Sequence, residues 1–157
     1  MTQDLVKTVI PNLYNTDFYA WTLEQSRLLQ QGKWHALDIE NLVEEIESLG
    51  KQEKRELENR LGVLIGHLLK CIYQPNLRSK SWQVTIRVQR RQVQRHINQN
   101  PSLKSYLSEA IAVGYDLGLE LFFKETQILD LDLPEECPFT VEQIFDPSFP
   151  SEIAGEG

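Results

Sequence analysis

Leu57, Leu61, Leu64, Leu68 and Ile72 recur every three or four residues across a proline-free stretch, Lys51 to Gln74, that stops at Pro75. This spacing sets the five side chains on one face of an α-helix, and the proline ends it. An apolar stripe of that length must be covered by other elements.

The rest of the chain supplies further helices. Thr16 or Asp17 can cap a first helix in which Phe18, Trp21, Gln25 and Leu28 share one face, and Gly32 gives the stop. Asp38 caps a second, with Ile39, Leu42, Ile46 and Leu49 as its stripe; Gly50 is either a terminator or a tolerated kink before the third. Between Ser81 and Asn98, Trp82, Val84, Ile86 and Val88 alternate as in a strand. The run nevertheless has no glycine or proline, and Val93 and Ile97 continue the helical interval, so it is read as a fourth helix with Ser81 as its cap. Asn100-Pro101 opens a fifth, reaching about Thr126, and Thr140 with Gln143 has capping-box spacing for a short helix over 140–145. The expected fold is all-α: a single compact bundle of about five helices with an irregular N-terminal arm and an irregular acidic C-terminal segment. The boundaries read as an arm over 1–13, a helical domain over 14–146 and a C-terminal tail over 147–157, whose end, SEIAGEG, is expected to fray. Gly62 and Gly66 share one face of helix three, as do Ala110, Gly114 and Gly118 on helix five. These small-residue faces are expected to meet each other or a ring such as Trp21 or Trp82. The His67–Lys70 side would then point toward helices one and two.

With 157 residues, 41% hydrophobic, the chain can bury a core without disulfide or metal staples. Its longest apolar stretch, Leu61 to Ile72, is broken by His67 and Lys70 and is far short of the ~20 residues of a membrane span. Cys71 and Cys137 make no disulfide framework, and the N-terminus has no apolar signal core, so a cytoplasmic location is expected.

The net charge of −7 conceals an uneven layout. Residues 59–108 hold no carboxylate and nine cations, whereas the chain from Glu109 onward holds twelve carboxylates and only Lys124. Such blocks either neutralise one another inside the bundle or are offered to a partner, and internal pairing is the expectation.

The segments TDFYAWTLEQSRLL, LDIENLVEEIESLGKQEKRELENRL, LIGHLLKCIYQP and SKSWQVTIRVQRRQVQRHINQNPSL occur in that order. Together they resemble the bacterial, largely cyanobacterial family called domain of unknown function 29, over roughly residues 14 to 146. The resemblance implies a small all-helical domain and brings no catalytic residues with it. The chain departs from the family pattern at Val88, where an acidic residue is expected.

Three residue groups are candidate sites. His67 and Lys70 interrupt an apolar helix, and a buried cation needs a partner. Glu24, Glu44 or Glu45 are the expected suppliers, and Trp21 and Tyr73 would complete a polar pocket or structural network. Arg87, Arg91 and Arg95 repeat every four residues after Trp82 and form a basic ridge. Glu40, Glu44 and Glu47 on helix two, with Asp116 and Glu120 on helix five, could gather a metal ion and a phosphate. Glutamates at such spacings more commonly form a solvated helix face, and no metal or other cofactor is expected. His67 and Cys71 are too few for a metal, and neither His35 nor His96 has a local Glu-x-x-His motif.

The function expected from these features is a non-enzymatic cytoplasmic helical interaction module, binding an unknown protein partner or itself. The alternative is a metal-assisted nucleotide or phosphoester hydrolase using the helix carboxylates. A third reading, nucleic-acid binding through the basic ridge, is opposed by the pI near 5.0.

Overall fold

The computed structural model describes residues 12–129 and 132–151. Among these the regular elements are all helical, with no strand, so the fold is all-α as the periodicity predicts. The helices are α1 (Leu13–Thr16), α2 (Phe18–Gln30), α3 (Ile39–Tyr73), α4 (Lys80–Gln99), α5 (Leu107–Glu125) and α6 (Val141–Phe145). No helix among the described residues is long and apolar enough to cross a membrane. The chain divides into two compact units, Met1–Gly50 and Lys51–Gly157.

Several local expectations need correction. The second and third predicted helices are one continuous helix, α3. At Gly50 an added Cβ would meet nothing within 4 Å; a helix glycine costs only ~1 kcal/mol, too little to end a helix in progress. The cap of α4 is Ser79 and not Ser81: its hydroxyl accepts from the Trp82 amide at 3.2 Å. Pro101 opens a 3-10 turn, Pro101–Tyr106, and the α-helix follows only from Leu107. Leu13–Thr16 is a helical turn at the junction of the predicted arm and the helical domain; residues 1–11 of that arm and the SEIAGEG tail beyond Ser151 lie outside the described residues.

In the first unit Asp17 caps α2 by accepting from the Ala20 amide at 3.0 Å. Gly32, at φ +67°, turns the chain after α2. Asp38 then gathers the unit: its carboxylate accepts from Trp21 Nε1 at 3.0 Å and from Asn41 Nδ2 at 2.8 Å. Its backbone amide donates to Gln25 Oε1 at 2.8 Å. Tyr14, Phe18 and Trp21 form a ring cluster beside it.

The second unit is built on the small-residue faces. A Cβ on Gly62 would lie 2.8 Å from Leu117 Cβ, and one on Gly114 would lie 2.8 Å from Leu61 Cβ. Gly66 is placed in the same way against Gly118 and Leu121. Residue numbers rise together along this contact, so α3 and α5 run parallel, and the predicted meeting of the two faces is what the structure shows. Leu57, Leu61, Leu64, Ile65, Leu68 and Leu69 are fully buried around it. Helix α4 runs back along α3, bringing His96 to Glu53, and adds Ile86, Val93 and Ile97 to the core. The capping box of Thr140 and Gln143 starts α6, whose Ile144 is fully buried.

Candidate functional site

The predicted polar group separates into individual partnerships. In the first unit Trp21 bonds to Asp38, Glu24 pairs with Arg27 at 2.6 Å, and Glu45 Oε1 accepts from Tyr14 Oη at 2.6 Å. The Glu45 contact pushes the Tyr14 pKa up to about 12.

In the second unit Lys70 is 4% exposed, and its Nζ lies 2.7 Å from Glu125 Oε2 and 4.7 Å from the centre of the Trp82 ring. Its counter-charge is therefore Glu125 of α5, and not Glu24, Glu44 or Glu45. The reason lies in the glycine contact: Lys70 is one turn beyond Gly66, which faces Gly118 and Leu121, so it meets the next turn of α5. The polar side consequently faces α5 and α4, contrary to the expectation that it faces helices one and two. His67 donates from Nδ1 to Val63 O at 2.8 Å, and burial lowers its pKa. Tyr73 packs edge-to-face on Phe122.

Among the described residues, one group of three could hold a metal ion: Glu53, Glu56 and His96. Glu40, Glu44, Glu47, Asp116 and Glu120 form no such group. His96 Nε2 donates to Glu53 O at 2.9 Å and lies 3.3 Å from Glu53 Oε2, and Arg60 already bonds Glu56 Oε1. These contacts are those of an ordinary polar network in which a buried His96 is met by two exposed glutamates. No local motif reveals the group, because the carboxylates that meet His96 come from α3, some forty residues away in sequence.

A concave feature lies wholly in the second unit. A cleft of about 990 Å3 opens between the first three turns of α4 and residues 145–151. Among the described residues, Arg78, Lys80, Arg87, Arg90 and Arg91 line it, and no carboxylate does. Arg87 and Arg91 come from the predicted ridge; Arg95 does not line the cleft, and Trp82 is occupied with Lys70. Arg78, Lys80 and Arg90 were missed as site residues, although the acid-free run of residues 59–108 was their signal.

Two of these cations are fixed by the backbone. Arg90 donates through Nε to Ile144 O at 2.8 Å and through Nη2 to Gln143 O and Phe149 O. Arg78 donates through Nε to Cys71 O and through Nη1 to Ser151 O, both at 2.8 Å. A carbonyl orients a guanidinium without cancelling its charge, and burial lowers the Arg90 pKa. The nearby Asp146 carboxylate turns to Ser148, accepting from its amide at 2.8 Å and its hydroxyl at 2.7 Å. Among the described residues, the ion pairs that engage residues 59–108 are those of Arg60, Lys70 and His96. The expected internal neutralisation is thus only partial, and the cleft carries five of the seven cations left over, Arg95 and Lys104 lying outside it.

The family model described as Domain of unknown function DUF29 matches residues 13–150. No curated protein and no solved structure matches the chain.

Proposed function

We propose, for a chain that belongs to the DUF29 family, a non-catalytic role as a helical interaction module that holds an anionic group of its partner in the cleft of the second unit. The observation that carries this reading is a cleft lined, among the described residues, by five cations and no carboxylate in a protein of net charge −7. Cations gathered in a cleft repel one another, and an incoming anion relieves that repulsion while its attraction is focused by the low-dielectric walls.

A second surface supports an interaction role. Ile39, Val43, Ile46 and Leu49 follow one another along one side of α3 in the first unit, and all four are exposed. Exposed apolar side chains in contiguous runs suit contact with another protein surface, including a second copy of the chain.

Chromatography on phosphocellulose tests the cleft reading. An acidic protein is expected to flow through such a resin at pH 7, so retention at low salt that is lost on adding salt supports a local anion site. Arg87→Gln/Arg91→Gln should abolish the retention. Flow-through of the unaltered chain at low salt would overturn the reading.

A further inference from the structure

The cleft's chemistry is narrower than its charge. Its volume of about 990 Å3 is far more than an inorganic anion needs, and it lies at the upper end of the range for small-molecule sites. Its walls are of two kinds. Cations stand on the α4 side, whereas Ile86, Phe145, Pro147, Phe149 and Pro150 supply apolar and aromatic surface. An occupant that satisfies both has a multiply charged head and a flat apolar body. Resting on the anion-binding role proposed above, we infer that the cleft is a site for a small organic phosphate with a planar body, nucleoside diphosphates being the representative class.

Three features fit the phosphate end. Arg78 and Arg90 are held in place by carbonyls, and Arg78 Nη2 and Arg90 Nη1 have no hydrogen bond among the described residues. A guanidinium fixed in this way loses little freedom when it takes a phosphate oxygen, and its planar fork suits that geometry. Ser79 and Lys80 at the start of α4 also line the cleft, so the positive end of a 20-residue helix adds to the same field. Arg87 and Arg91 lie about two and three turns farther along, one turn from each other, so a doubly charged group can draw on both.

The extent of the cleft along α4 disfavours a polymer. Nucleic acid or an extended acidic peptide following α4 would use the whole ridge, including Arg95, which is exposed and outside the cleft. A small ligand uses Arg87 and Arg91 and leaves Arg95 untouched.

Calorimetric titration of the full chain at low salt with ADP, pyrophosphate and adenosine tests this. ADP is expected to bind more tightly than pyrophosphate, and adenosine to give no measurable heat. Arg87→Gln and Arg91→Gln should each weaken ADP about tenfold, the loss of one charge-assisted contact. Arg95→Gln, an identical charge change outside the cleft, should leave ADP affinity unaltered. Phe149→Ala should weaken ADP and spare pyrophosphate. Equal affinity for ADP and pyrophosphate would overturn the planar-body inference. So would tighter binding of a polyglutamate peptide or an RNA oligomer that Arg95→Gln weakens as much as Arg91→Gln; anion binding itself would then stand. Absence of binding by every one of these anions at low salt would overturn both.

Discussion

Gly118 stands so close to Gly66 that a Cβ added to it would lie 3.0 Å from the Gly66 amide nitrogen and 3.2 Å from Gly62 O. Both neighbours are backbone atoms of a helix, which cannot move aside as a flexible side chain can. The contact between α3 and α5 is thus closed to any larger residue.

Alanine substitution at two glycines gives opposite outcomes. Gly118→Ala gains helix propensity but forces the two backbones apart, and a net loss of about 1–3 kcal/mol is expected. Gly50→Ala meets open space and should gain up to ~1 kcal/mol. Thermal denaturation of both variants checks the pair. A Gly118→Ala protein as stable as the unaltered chain would contradict the close-contact argument.

Lys70 is buried and Glu125 about half exposed, so the two partners are unequal. Glu125→Gln leaves the ammonium with only the Trp82 ring and a weaker acceptor. A destabilisation of about 1–3 kcal/mol is expected in urea titration, below the full figure for a buried pair because Glu125 is partly solvated. Lys70→Met in the Glu125→Gln background should recover most of it, since no charge is then left buried. Failure of the second change to recover stability would argue against an unpaired-charge origin.

Acid should weaken the fold in two steps. Burial, the larger cause, holds the folded His67 below its ordinary pKa. As pH falls through ~6.5 the unfolded chain gains a proton that the folded chain refuses, so stability declines from that point. Glu125 is held below the usual carboxylate range by its hydrogen bond from Lys70. Its contribution is complete above the unfolded value of ~4.3 and is lost as pH drops through the lower folded value. Denaturant midpoints between pH 7.5 and 3.5 should show both declines, and His67→Gln should flatten the upper one. A His67→Gln profile that parallels the unaltered chain between pH 7 and 5 would count against the first step.

Arg90 holds residues 143–149 to α4 through three backbone carbonyls. Arg90→Gln is expected to raise amide hydrogen exchange across residues 141–151 by tenfold or more, the effect of losing about 1.4 kcal/mol locally. Amides of α3 beside the glycine contact should keep their protection. Loss of protection throughout the second unit would show that the segment is part of the global core.

The helices, and the meeting of the small-residue faces, were legible because both are periodic signals carried along one stretch of chain. Thr140 with Gln143 was legible for the same reason: a capping box closes over three residues. What escaped was set by distance in sequence. Lys70 and Glu125 are 55 residues apart, and nothing near Lys70 in the chain distinguishes Glu125 from the nearer glutamates. Arg90 escaped because its acceptors are carbonyls, which every residue possesses. The acid-free run did point to the cleft, but a charge pattern says which segment is cationic and not whether another segment rises beside it to form a wall.

The far wall of the cleft is tied down by its main chain, and that separates what holds it from what it presents. Arg78 and Arg90 grasp the carbonyls of Gln143, Ile144, Phe149 and Ser151, and those oxygens persist whatever side chains are attached. Those main-chain bonds do not depend on the side chains of Phe145, Ser148 and Phe149, although Phe145 and Phe149 also pack on the core. An exchange at any of the three alters the shape and polarity offered to a ligand. The arrangement leaves selectivity free to drift among descendants of this chain while the charge that draws an anion in stays fixed on α4.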